Sequence, residues 1–310
     1  MPSFSKASSF GLEISDESLK FAELVHVKDS IKTGRYGSRR IAPGIIEAGE
    51  IMEPELFEEI LSVLKKEEGI KSVHVSLPEE KIFIFKIRLE KAGLKNIRKG
   101  IELSLEYNIP MSDQAVVFDY KILNEDNQSW EVQVIVIAKN IIESYLSAFE
   151  NSNISISSFE TKAQATAQSV IKKVDFETHM IVNLGATHTG ISIVSNGIVI
   201  LDSTLNASGE MFSDNIHVLR EEISKHFLYW HTHKDEDGKV RPSVEKIFLC
   251  GGGMDLTALA DYLSGSLKHK VEVANVWVNI LDIEKNIPEM NFEQSLLFTA
   301  PLGLALEGVK

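Results

Sequence analysis

A single cysteine, Cys250, stands among 310 residues. An internal disulfide is thereby excluded, and a reducing cytoplasm is the expected setting. Cys250 precedes a glycine run in an apolar stretch, which points to a buried small residue rather than a reactive thiol. Long hydrophobic runs are missing too: no segment approaches the ~20 apolar residues that span a bilayer. The opening MPSFSKASSF is polar and lacks the apolar centre of a secretory leader. The closing Gly308-Val309-Lys310 carries no amphipathic helix, so membrane association is expected only through a partner. Positive charge is in short supply. Against 45 Asp and Glu stand 32 Lys and Arg, a net charge of −13, which argues against a nucleic-acid surface. The one basic cluster, Arg35, Arg39 and Arg40, reads as a solvated loop. No P-loop, dinucleotide fingerprint or Ser–His–Asp arrangement occurs. His226, His231 and His233 lack the four-residue spacing and the companion acids of a metal site, so they read as a solvated helix end.

What is present is a soluble globular composition, 44% hydrophobic and 25% charged, long enough for about two domains. One pattern occurs twice. Gly11–Lys20 and Ile181–Gly190 each run as apolar strand, small-residue turn and second strand. Two such hairpins half a chain apart suggest related domains facing each other across a cleft, as actin-type ATPases hold nucleotide phosphates. The first domain is expected over 1–175 and the second over 176–310. After the first hairpin, Gly49–Ile51 reads as a third strand. Pro54, the stripe Phe57, Ile60, Leu61 and Leu64, and Gly69 predict a helix with its C-cap. Ser72–Leu77 alternates like a half-buried strand and stops at Pro78.

Residues 79–138 form a block of their own. Strand patterns over Lys81–Leu89, Val116–Leu123 and Trp130–Ala138, with a helical stripe at Leu94, Ile97, Ile101 and Leu105, predict an α+β subdomain inserted into the first domain. A helix at Ile141–Phe149, a strand at Ile154–Phe159 and an alanine-rich helix at Thr161–Ile171 follow. In the second half, Asn196-Gly197 predicts a hairpin turn. Phe212, Ile216, Leu219, Ile223, Phe227 and Trp230 predict one continuous helix face. Asp235–Gly238 reads as a loop. Lys246–Leu249 is a strand running into Gly251-Gly252-Gly253. Leu256–Leu267 and Glu293–Leu306 read as helices, with a strand at Val271–Ala274 between them.

Hairpin turns present successive backbone N–H groups to phosphate oxygens. Ser15, Ser18, Lys20, Gly185, Ala186, Thr187 and Thr189 are the candidate phosphate contacts, and Gly251, Gly252 and Gly253 permit a nucleotide to lie on bare backbone. His188 on the second turn is as compatible with a surface role as with a ligand. Hydrolysis requires a cation on the phosphates and an oriented water. Glu13 is the one candidate metal ligand, and Asn183, at the equivalent place in the second copy, is neutral. Asp16 and Glu17 add negative charge beside the first turn. No catalytic residue is assigned, and ATPase activity is expected to be weak or absent.

At these residues the chain resembles a known family, PilM, the actin-like protein of type IV pilus assembly, related to FtsA. The resemblance rests on GLEISDESLKFAEL, APGIIEAGEI, VSLPEEKIFIFKIRL, IELSLEYNIPMSDQAVVFDYKIL, NLGATHTGISIVSNGIVI, FLCGGGMDLTALADYL and FTAPLGLALEG, in order and over nearly the whole chain. It implies an α/β fold, actin-like (ribonuclease H-like), of two domains with an inserted α+β subdomain in the first. The second-domain insertion is reduced, because GEMFSDNIHVLREEI runs straight through. It also implies ATP and Mg as cofactors and a cytoplasmic adaptor on the inner face of the membrane. That adaptor docks the N-terminal peptide of a PilN-like inner-membrane partner in a groove at Leu77, Pro78, Ile82, Ile84 and Ile87. The alternative is a working actin-like ATPase that binds Mg-ATP.

Overall fold

The computed structural model describes residues 8–27, 30–110, 115–234, 238, 240–281 and 287–309. Of the loop expected at 235–238, only Gly238 lies within them.

Two five-stranded sheets carry the two halves. The first joins Ser8–Ile14 (β1), Ser18–Val27 (β2) and Ser30–Arg40 (β3) as an antiparallel meander. Ile46–Glu47 (β4) and Glu50–Ile51 (β5) make a separate two-stranded ribbon. Pro54–Glu68 (α1) ends on Gly69 at φ 64°, the left-handed cap that glycine adopts without strain. Ser72–Leu77 (β6) then pairs parallel to β1. The third strand of this sheet is therefore β3, and Gly49–Ile51 is not part of it. Arg35, Arg39 and Arg40 lie on β3 rather than in a loop. Their charge hides the strand in the sequence, because an edge strand with half-exposed faces shows no apolar alternation. Glu23 accepts from Arg35 at 2.9 Å, and Arg39 pairs with Glu67 and Glu68 of α1.

Next comes the inserted unit, Ile82–Glu90 (β7), Ile97–Asn108 (α2), Val116–Glu125 (β8) and Ser129–Ala138 (β9). Its antiparallel sheet runs β7-β9-β8, and α2 covers one face through Ile101 and Leu105 against Val132, Val134 and Val136. Lys139–Asn151 (α3) returns to the first sheet, where Ser155–Thr161 (β10) pairs parallel to β6. Lys162–Val170 (α4) follows.

The second sheet repeats the first. Thr178–Leu184 (β11), Thr189–Ser195 (β12) and Ile198–Leu205 (β13) form the meander. Gly209–Asp214 (α5) and Ile216–Thr232 (α6) lead to Val244–Gly251 (β14), then Leu256–Leu267 (α7) and Val271–Val273 (β15). The strand orders, β10-β6-β1-β2-β3 and β13-β12-β11-β14-β15, are equivalent. This doubled sheet is the actin-like fold, and no large unit separates β13 from α6. The single helix expected over Phe212–Trp230 is two, broken at Asn215 (φ −133°, ψ 47°), a residue type that competes for its own backbone. Likewise Phe292–Leu296 (α8) and Thr299–Leu306 (α9) replace one closing helix, with Pro301 placed in the first turn of the second.

The two helices α4 and α9 bind the halves together. Ala163, Ala167 and Val170 of α4 belong to the core under the second sheet. Helix α9 is buried along its whole length between β1, β2 and α4.

Candidate functional site

The two hairpin turns face each other across a cleft of about 360 Å³. Glu13–Ser18 form one wall and Gly185–His188 the other, with Lys20, Arg40, Pro78, Glu79 and Lys162 between. The first turn is closed by Ser15 N–H donating to Ser18 O at 2.9 Å and by the Ser15 hydroxyl at 3.1 Å from the same oxygen. In the second, Gly185 N–H donates to His188 O at 2.9 Å, and a Cβ on Gly185 would lie 2.5 Å from that oxygen. Glycine is thus required there. Thr187 Oγ1 and His188 Nδ1 are 2.8 Å apart.

The candidate residues separate into those that converge and those that do not. Ser15, Ser18, Lys20, Gly185, Ala186 and Thr187 line the cleft together. Thr189 is fully buried, its hydroxyl donating to Ala207 O at 2.8 Å, away from the opening. Gly251 and Gly253 pack against neighbouring backbone, and Gly252 against the Leu297 side chain. A Cβ on Gly251 would meet Leu184 O at 2.0 Å, one on Gly252 would meet Leu297 at 2.6 Å, and one on Gly253 would meet Glu210 N at 2.8 Å. None of the three lines the cleft. Cys250 beside them is fully buried, and burial pushes its thiol up to about 12.

The acids behave differently from one another. Asp16 does not face the cleft as a free charge, since its carboxylate accepts the amides of Ala48 at 2.7 Å and Gly49 at 3.0 Å. Glu13 is buried, stands opposite Lys20 in the β1–β2 register, and accepts Lys162 Nζ at 3.1 Å. Burial works to raise its carboxyl, but the charges of Lys20 and Lys162 outweigh it and hold the group below its usual value. Lys162 is the first residue of α4, and its ammonium is raised above its ordinary range. Desolvation opposes that shift, and Glu13 and Glu79 overcome it. Burial, together with Asp202, Glu80 and Glu13, lifts Glu79 from 4.5 to about 7 against the pull of Lys162. Asp202 is raised as well, by burial, although the Ser192 hydroxyl donates to it at 2.8 Å.

Lys162, Glu79 and Asp202 were not among the candidates. The available signal was a lysine opening an alanine-rich helix, where the helix dipole disfavours a cation unless an acid waits opposite. A divalent ion does not fit this arrangement. An ammonium already sits on Glu13, Asn183 supplies no charge, and among the described residues no three ligating side chains converge.

Glu79 carries a pH prediction. Its folded-state value of about 7 lies above the ordinary 4.5, so the stability it contributes is complete below pH ~4.5 and is lost as pH rises through about 7. Glu79→Gln is expected to flatten the dependence of the melting temperature between pH ~5 and ~8, and to stabilise the protein at pH ~8 by on the order of 1–3 kcal/mol. Equal slopes for variant and wild type in thermal melts would refute this.

A second, apolar groove of about 440 Å³ lies between the β7-β9-β8 sheet and the first five-stranded sheet. Its walls are Val117–Lys121 of β8 and Ser158–Thr161 of β10, and each of those strands ends its own sheet. Leu77, Ile84, Ile135, Ile137, Ile142 and Phe159 supply the apolar lining. Of the five groove candidates, Leu77 and Ile84 are here. Pro78 lines the phosphate cleft, and Ile82 lines the space between β7 and β13. Ile87 packs with the α2 cluster on the opposite face of the inserted sheet from Ile84, as the two-residue period of a strand requires.

The family model described as "Type IV pilus assembly protein PilM" matches residues 11–221. Among solved structures, the chain is similar to one described as a PilM-PilN type IV pilus biogenesis complex. The identity is 20%, covering 97% of this chain and 98% of that one, with a TM-score of 0.79. It is more distantly similar to the ethanolamine utilization protein EutJ of Carboxydothermus hydrogenoformans (12% identity, 96% and 89% covered, TM-score 0.51). The cytoplasmic domain of EpsL, from the type II secretion system of Vibrio cholerae, is at a similar distance (10%, 94% and 94%, TM-score 0.50). No curated protein sequence matches. Among the described residues no helix is long and apolar enough to cross a membrane. With more than half of its length matched, the chain belongs to the PilM family of type IV pilus assembly proteins.

Proposed function

We propose that this protein is an adaptor of the pilus assembly machine. In this reading the first domain, residues 1–175 with its insertion at about 79–138, docks an extended N-terminal peptide of a PilN-like inner-membrane protein, and residues 176–310 close the cleft behind it. The chain would thus work in the cytoplasm, at the inner face of the membrane, held there by its partner. The apolar groove carries the proposal. Two strands that end their sheets, β8 and β10, flank it with edges to which no further strand pairs among the described residues, and Leu77, Ile84 and Phe159 offer pockets for alternate side chains. A peptide strand adds main-chain hydrogen bonds along such an edge and takes specificity from those pockets. The PilM-PilN complex that the fold resembles is consistent with this choice of partner. The phosphate cleft is degenerate in this reading, because the Lys162–Glu13 pair stands where hydrolysis needs a metal.

Fluorescence anisotropy with a labelled peptide of the partner's cytoplasmic tail tests it. Ile84→Asp places a carboxylate in the groove lining and is expected to weaken binding at least about 30-fold, roughly 2 kcal/mol. Leu103→Asp, on the exposed face of α2, is expected to leave binding unchanged. Undiminished binding by Ile84→Asp would end the proposal.

A further inference from the structure

The carboxylate at the inner end of β1 already has a cation. Lys162 Nζ lies 3.1 Å from Glu13 Oε1, and Lys20 stands opposite Glu13 on β2. Three elements meet at that point: β1, the first turn of α4, and β13, which brings Asp202 into a small space shared with Lys162, Glu79 and Asn183. A lysine at the first position of a helix sits among N–H groups that repel it. Glu13 compensates, and Thr161 caps the helix by accepting from Gln164 N–H at 3.1 Å. An ion of charge +2 placed on Glu13 would have to displace this ammonium or lie against it. The strand position across the cleft, Asn183, offers no charge to hold it. Lys20, Arg40 and Lys162 meanwhile line one opening with both turns, where the acids are Glu13, bonded to Lys162, Asp16, bonded to the Ala48 and Gly49 amides, and Glu17, Glu79 and Glu80. The Thr187 hydroxyl and the turn amides of Ala186, Thr187 and His188 add donors, and such a set suits phosphate oxygens.

We infer that Lys162 is the resident cation of this cleft, standing in place of a divalent ion, so that the nucleotide phosphates the cleft takes are bound free of metal. The assignment is independent of the peptide groove: docking could fail with this intact, and the reverse.

Two measurements test it. The first is titration with Mn²⁺ alone, followed by electron paramagnetic resonance. Wild type is expected to leave the ion free. Lys162→Met, which keeps the length and removes the charge, is expected to bind it at Glu13, and Glu13→Gln/Lys162→Met to lose it again. The second uses only the wild-type protein and so stands even if Lys162→Met fails to fold. ATP affinity by calorimetry in excess EDTA is expected to match that in magnesium within about threefold. Where Lys162→Met folds, its ATP affinity in EDTA is expected to fall at least about tenfold. Four results overturn the inference: Mn²⁺ bound by wild type and lost in Glu13→Gln, a folded Lys162→Met that gains no Mn²⁺, ATP binding that requires magnesium, and no ATP binding in either buffer.

Discussion

Gly303→Val is expected to abolish the folded protein. Gly303 lies in α9, where a Cβ would come within 1.8 Å of Ala165 O and 2.5 Å of Ala165 C. Both atoms are backbone of α4, so no side chain can rotate away. Nor can α9 retreat, because on its other side a Cβ on Gly11 of β1 would meet Pro301 O at 1.9 Å. The helix is wedged between a sheet and a second helix, with a glycine at each contact. Overpacking in a core with room to relax costs about 1–3 kcal/mol. Here the strain falls on backbone in three elements that tie the two halves together, and a loss of more than about 4 kcal/mol is expected. That is a large part of the roughly 5–15 kcal/mol that holds a domain folded. Gly265→Ala is the contrast. It lies inside α7 with nothing within 4 Å of its missing Cβ, and the change is expected to stabilise the protein by about 0.5–1 kcal/mol. Soluble yield and thermal melts of the two variants read both signs. A folded Gly303→Val with near wild-type stability would show that α9 does not hold the halves together.

Phe57→Ala is expected to cost about 3–5 kcal/mol. Phe57 is fully buried on α1 and meets Tyr145 and Phe149 of α3 edge-on, at 6.2 Å and 6.3 Å between ring centres. Truncation removes both ring contacts and leaves a cavity that two helices flank. The consequence reaches the cleft. The Tyr145 hydroxyl donates to Gly49 O at 3.1 Å, and the amides of Ala48 and Gly49 are what hold Asp16. Loss of the aromatic cluster therefore loosens the loop whose amides bond the Asp16 carboxylate. A lower denaturant midpoint with an unchanged slope is expected, and Phe57→Leu should recover about half of the loss. A stability loss below about 1 kcal/mol would mean that the cavity collapses at little cost.

Much of the fold could be read along the chain where local chemistry decides alone. Ser72–Leu77 alternates because one face of β6 is buried more deeply than the other. Gly69 ends α1 because a left-handed residue was needed, and Asn196-Gly197 turns β12 into β13 with φ of 53° and 74°. The paired hairpins, and hence the cleft, were legible for the same reason. Other parts were hidden. Strand β3 is mostly polar, with only Ile31 and Tyr36 packed against the core, so its pairing with β2 left no period to find. The breaks at Asn215 and near Leu297 interrupt apolar stripes that continue on either side. At the site, the hydroxyls and glycines of the turns were identifiable, whereas Thr189 and Gly251–Gly253 turned out to serve packing.

Taken alone, the order of residues determined the doubled strand pattern, the separate sheet over β7–β9, and which turns would share a cleft. Each depends on neighbours close in the chain. Only the tertiary structure decided that Lys162 would answer Glu13, that Asp16 would be spent on a neighbouring loop, and that Leu77 and Ile84 would share a groove while Ile87 turned away. Those outcomes depend on which elements come to lie side by side. An ion pair between residues so far apart in the chain has no local signature, because its strength comes from the burial that only the assembled core provides.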